Sequence, residues 1–101
     1  SDTVTHSTLG NLSPLLVMVL SRFEGSAKIL TSVKVPAIFR DNYRLVGIVH
    51  HFGNSIAEGH YVADVRHPDT GVWYTANDAE VEPADPRTSG STPYILLYEL
   101  F

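Results

Sequence analysis

Nowhere in this chain do apolar residues sustain the spacing of an amphipathic helix; they come in strand-length runs cut by turn residues, which points to a β-dominated fold. Leu12 to Phe23, LSPLLVMVLSRF, is a largely apolar run with Pro14 near its start, where a strand tolerates proline. After a turn at Glu24-Gly25-Ser26, Lys28 to Pro36 alternates. Ile29, Thr31, Val33 and Val35 fall on one face, and Lys28, Leu30, Ser32 and Lys34 on the other, so the two segments are expected to pair as a hairpin. Arg40-Asp41-Asn42 breaks the pattern before Tyr43 to Phe52, which is again β-branched and apolar. Gly53-Asn54-Ser55 has turn chemistry, and Ile56 to Gly59 leads into a strand over His60 to Arg66. His67 to Gly71 is a tight connection to a strand over Val72 to Ala76, and Val81-Glu82-Pro83 closes that region. A loop from Pro83 to Pro93 leads to Tyr94–Phe101, YILLYELF, a buried last strand with Leu96, Leu97 and Phe101 in the core. Residues 1–11 read as a polar N-terminal tail or weak edge segment, followed by one unit over residues 12–101. The expectation is a mainly β chain built on one antiparallel sheet of about five to six strands.

At 101 residues the chain can bury one modest core. Its net charge of −4 argues against nucleic acid or an anionic membrane as partner, since both need a cationic face. The longest unbroken apolar run, Leu15 to Leu20, is far short of the roughly 20 residues that cross a bilayer. No charged start followed by an apolar stretch marks a secretory signal. There is no cysteine, which removes disulfides, thiolate zinc sites and a cysteine nucleophile together. Such usage fits a reducing compartment, the cytoplasm or nucleus.

Chemistry concentrates around the connection at residues 67–71. If Arg66 pairs with Val72, His60 faces Asp78 and Tyr61 faces Asn77; a one-residue bulge would instead put Asn77 opposite His60. Either neighbour lies within hydrogen-bonding reach of the ring. A histidine oriented on one nitrogen by Asn or Asp is the base-and-orienter half of a nucleophilic hydrolase. On spacing alone the signal is weak, since a strand histidine opposite a polar residue is more often a plain surface pair.

The surrounding residues add a second line. Leu12-Ser13-Pro14-Leu15-Leu16 through Leu20-Ser21-Arg22-Phe23 resembles LPxxLxxxLKRF, and Tyr43-Arg44-Leu45 through His51-Phe52-Gly53 resembles YxLxAVxxHxG. Gly59-His60-Tyr61-Val62-Ala63 is similar to a GHYxA histidine box, Trp73 to Asp78 to WYxF(D/N)D, and Pro93 to Leu100 to a closing AYLLFYEL strand. In this order and spacing, these motifs resemble the C-terminal, palm-like part of the ubiquitin-specific proteases, papain-like thiol peptidases. The resemblance implies that His60 is the general base, that Asn77 orients it, and that Asp78 is an auxiliary or substitute orienter. It also implies a substrate-binding loop bounded by Gly53 and Gly59, with His51 and Tyr61 beside it. Read without the resemblance, His51 is a partly buried histidine satisfied by backbone. Val19, Ser21, Phe52, Asp64 and Ala76 depart from the family pattern, and Asp64 and Ala76 are expected to loosen the packing behind the dyad.

The family's cysteine box and zinc-finger cysteines have no counterpart here. The implied function is therefore the C-terminal part of a deubiquitinating cysteine protease, supplying His and Asn but no thiol, with ubiquitin or a ubiquitin-like protein as substrate. The alternative is a catalytically dead ubiquitin- or protein-binding module, its rim charges Asp78, Glu80, Glu82 and Asp85 facing a basic partner. Implied partners include a chain carrying the cysteine box and a second copy of this chain across exposed palm surface. No cofactor is implied. A metal site from His50, His51, His60 and His67 lacks zincin spacing and arranged carboxylates, so none is expected.

Overall fold

The computed structural model describes residues 4–6, 13–25, 27–55 and 58–101. Along the chain the strands are β1 (Val4–His6), β2 (Leu15–Leu20), β3 (Phe23–Glu24), β4 (Ala27–Lys28), β5 (Val33–Lys34), β6 (Ile38–Phe39) and β7 (Tyr43–Gly53). They continue as β8 (Gly59–Arg66), β9 (Trp73–Asn77), β10 (Glu80–Pro83), β11 (Ser89–Gly90) and β12 (Pro93–Leu100). The main sheet runs β1-β2-β12-β7-β8-β9-β10, with β6 also on β7, and every pairing is antiparallel. This is the mainly β, antiparallel architecture the sequence leads one to expect. Among the described residues there is no helix long and apolar enough to cross a membrane.

The strand register explains which residues face the core. One row across the sheet is Met18, Leu96, Ile48, Asp64, Thr75 and Glu82, and its first four members are buried. The neighbouring row, Val19, Ile95, Val49, Ala63, Ala76 and Val81, points to the opposite face, and none of its members is buried. The covered face carries the core of Leu16, Met18, Val35, Tyr43, Leu45, Ile48, Leu96 and Tyr98. It is roofed by the small β5–β11 ladder, extended where the Val35 amide donates to the Thr88 carbonyl, and the Tyr98 hydroxyl donates to the Pro36 carbonyl. Burial pushes that phenol up to about 12.

Three local expectations need correction. The hairpin between residues 12–23 and 28–36 forms only next to its turn, where Phe23 pairs with Lys28 and the Ile29 amide donates to the Arg22 carbonyl; beyond that, β2 lies between β1 and β12, and β5 pairs with β11. The buried Arg22 side chain is the physical reason, because its guanidinium takes the Ile29 and Thr31 carbonyls that a paired strand would have used, and its Nε donates to the Pro93 carbonyl. Second, Arg66 pairs with Trp73 rather than Val72, because the His67 amide donates to Val72 and the Gly71 amide back to His67, leaving a four-residue loop. Third, Phe101 lies beyond the end of β12 and is 59% exposed beneath the Arg44 guanidinium, while Leu97 is half-buried on the open face. Of residues 1–11, Val4–His6 form β1; the remainder of that segment, Leu12, Ser26 and Ile56 lie outside the described residues.

Candidate active site

His60 is the second residue of β8 and Asn77 the last of β9. The backbone ladder between these strands ends at Ala63–Ala76. Continuing its register would set Asn77 across from Val62, and His60 is the next residue on the same face. The side chains close that diagonal, with His60 Nε2 2.6 Å from Asn77 Oδ1. The amide oxygen only accepts, so Nε2 carries the proton and donates it. Nδ1 is left with its lone pair, able to take a proton from an approaching nucleophile. Both side chains are exposed, so this nitrogen is accessible.

Asp78 is placed differently. It is the first residue of the two-residue turn joining β9 to β10, with φ 55°, a backbone state that aspartate tolerates better than most residues. Among the described residues its carboxylate makes no hydrogen bond to His60, so the geometry gives the orienting contact to Asn77 alone.

The four residues flanking the loop come together on the opposite side of β7 and β8. His51 pairs with Tyr61 and Gly53 with Gly59. The His51 ring is wholly buried, edge-on to Phe23 at 5.1 Å and to Tyr61 at 5.1 Å, and Tyr94 completes a box of rings against Phe23 and Tyr61. The Ser55 main chain is the backbone hydrogen-bond partner of the ring, although neither nitrogen meets strict hydrogen-bond geometry with a described residue. Burial, then the charge of Lys28, lowers its pKa, and the nearby Ser55 main chain pulls weakly the other way. Gly59 is required here: a Cβ on it would stand 2.0 Å from His51 Nε2. Gly53, at φ 123°, is equally constrained by the Glu58 carbonyl oxygen, 2.0 Å from any added Cβ.

A buried polar cluster that residue spacing does not signal lies beside the dyad. Asp64, 3% exposed, accepts from His50 Nε2 at 2.7 Å, from the Arg87 amide at 2.9 Å and from the Thr75 hydroxyl at 2.6 Å. His50 Nδ1 lies 3.0 Å from the Thr92 hydroxyl. Burial raises the Asp64 pKa, but the Arg87, Thr75 and His50 hydrogen bonds outweigh it and hold the carboxyl below its ordinary value. Burial dominates at His50 and lowers it, so a neutral ring donates to a carboxylate. Asp64 therefore grips its surroundings rather than loosening them. Ala76 lies on the other face, opposite Ala63, away from the dyad. Only the juxtaposition of His50 and Asp64 across β7–β8, two residues off direct partnership, could have signalled this cluster in advance.

The histidines thus have separate tasks, His67 using Nδ1 to accept the Asp69 and Thr70 amides of its turn. Among the described residues no three His, Asp or Glu side chains converge as a metal site.

A strand histidine oriented by an amide, with its other nitrogen free, is an arrangement of the nucleophilic hydrolases. The family model described as ubiquitin carboxyl-terminal hydrolase matches residues 4–98, and the chain belongs to that family. It is 34% identical to the human protein named ubiquitin carboxyl-terminal hydrolase 2 over 103 residues, covering 85% of this chain and 17% of the relative. Identity is also 34% over 97 residues to ubiquitin carboxyl-terminal hydrolase 14 of Caenorhabditis elegans, covering 80% of this chain and 20% of that one. A chain in the structure of the Ubp8-Sgf11-Sgf73-Sus1 SAGA DUB module superposes with a TM-score of 0.76 at 30% identity, over 89% of this chain and 24% of the other. This chain thus spans a quarter or less of each of these three relatives.

Proposed function

We propose that residues 12–101 form the palm-like C-terminal part of a deubiquitinating thiol protease, supplying His60 as general base and Asn77 as its orienter to a cysteine held elsewhere. The observation that carries this reading is the 2.6 Å contact between His60 Nε2 and Asn77 Oδ1, which leaves Nδ1 facing solvent as a base. In that assembly Nδ1 takes the thiol proton, and the thiolate attacks the carbonyl carbon at the end of ubiquitin's tail. The imidazolium, held by Asn77, returns the proton to the departing lysine amine as the isopeptide bond breaks. Water, deprotonated by the same ring, then hydrolyses the thioester and releases the thiol. Gly53, Gly59 and Tyr61, exposed above the buried His51 ring, border the path of the tail, and His51 supports them from below.

The test is to combine the chain with a cysteine-bearing segment from a relative and to assay cleavage of a ubiquitin conjugate. Activity that is lost in His60→Ala supports the proposal; a conjugate left intact by every such combination contradicts it.

The absence of any cysteine among the 101 residues favours a second reading, a ubiquitin- or protein-binding module without chemistry. Glu80, Glu82 and Asp85, all exposed, then form a rim for a basic partner. Under this reading His60→Ala leaves binding unchanged. We also infer that the isolated chain self-associates through the open apolar row from Val19 to Val81, and sedimentation of a monomer at high concentration would contradict that. A cysteine partner that must stay reduced places the assembly in the cytoplasm or nucleus.

A further inference from the structure

Below the dyad, the paired residues stack in rungs along β7, β8 and β9. Phe52 and His60 form the first rung, His50 and Val62 the second, with Asn77 at its β9 end, and Ile48, Asp64 and Thr75 the third. Backbone pairing between β8 and β9 stops at Ala63–Ala76, so His60 and Asn77 lie past the last bond of the ladder. The nearest tie between the two strands on the dyad's face is the Thr75 hydroxyl donating to Asp64 Oδ1 at 2.6 Å. The other oxygen of the same carboxylate holds His50 on β7 and the Arg87 amide of the segment before β12. Arg87 in turn lays its guanidinium over the Phe52 ring at 5.2 Å, against the partner of His60.

We propose that Asp64, through Thr75, is a positioning residue for the His60–Asn77 pair. One buried carboxylate clamps β7, β9 and the Arg87 segment to β8, fixing where β9 ends and hence where the Asn77 amide stands relative to the ring. The clamp rests on this chain's own pairing of Asp64 with His50 and Thr75. The inference rests on the reading of His60 and Asn77 as base and orienter.

The test is ring-nitrogen NMR of the folded chain, which reports which His60 nitrogen carries the proton. The wild type should show a protonated Nε2 and an unprotonated Nδ1, with a slowly exchanging Nε2 proton. Thr75→Val removes only the hydroxyl bond, and Asp64→Asn weakens the whole clamp. Both should collapse the difference between the two ring nitrogens and lose the slowly exchanging signal, while Thr75→Ser, which keeps the hydroxyl, should retain it. If Asp64→Asn fails to fold, Thr75→Val decides alone, because a purely structural role would lower stability and leave the ring pattern of the folded protein unchanged. A wild-type pattern that persists in folded Thr75→Val overturns this inference alone. A wild-type ring without that pattern overturns the base-and-orienter reading and the inference with it.

Discussion

His60 and Asn77 meet at 2.6 Å although their backbones are not partners: the ladder between β8 and β9 has already ended at Ala63–Ala76, and the contact crosses the gap diagonally. Because only side chains close the gap, the pair should be easy to break and cheap to lose for the fold. His60→Ala and Asn77→Ala, both at exposed positions, should each change unfolding free energy by no more than about 0.5 kcal/mol. In a reconstituted enzyme, His60→Ala should cost about 10²–10⁴-fold in turnover. Urea unfolding alongside a cleavage assay checks both halves.

The opposite holds behind the site. Gly59→Ala drives a Cβ into the buried His51 ring, which has no exposed side to move toward. The cost should be about 1–3 kcal/mol. Truncating the ring in a Gly59→Ala/His51→Ala double variant should relieve part of it, giving a coupling above about 0.5 kcal/mol in a double-mutant cycle. Strict additivity would mean that the two residues do not touch.

Acid should weaken this fold. Burial holds His50 and His51 below the ordinary 6.5, so the unfolded chain binds protons that the native state refuses. Stability is then complete above about pH 6.5 and declines as pH falls through that value toward the folded pKa values, by up to about 1.4 kcal/mol per pH unit for each ring. Asp64, held below 3.8 by its hydrogen bonds, adds a second loss at lower pH still. Urea midpoints at pH 7.5, 6 and 5 should fall in that order, and a flat profile contradicts the assignment.

Removing Tyr94–Phe101 should abolish cooperative unfolding, since β12 lies between β2 and β7 and supplies Leu96 and Tyr98 to the core. Deleting Phe101 alone should change stability by no more than about 0.5 kcal/mol, because that ring is mostly exposed. Circular dichroism during thermal melting distinguishes the two truncations.

The strands legible in the sequence are those whose partners share their pattern: Tyr43 to Phe52, His60 to Arg66 and Tyr94 to Leu100 are long, apolar and flanked by turn residues. Lys28 to Pro36 also alternates, but its Ile29 and Thr31 carbonyls are taken by the Arg22 side chain, a competitor that periodicity cannot see. The dyad was legible as a pair of residue types near a tight connection, while its register was not, since that depends on how many residues the loop at Pro68–Gly71 leaves out. The Asp64 cluster stayed hidden because a lone aspartate in an apolar strand reads as a departure until His50, Thr75 and Arg87 are brought to it by three different segments.

A ubiquitin tail lying beside His60 should perturb the residues around that ring. The most direct measurement is a two-dimensional amide NMR titration of the labelled chain with unlabelled ubiquitin. Shifts should cluster at His51, Gly53, Gly59, Tyr61 and Asn77 through Glu82. A spectrum unchanged at millimolar ubiquitin would contradict this placement of the tail.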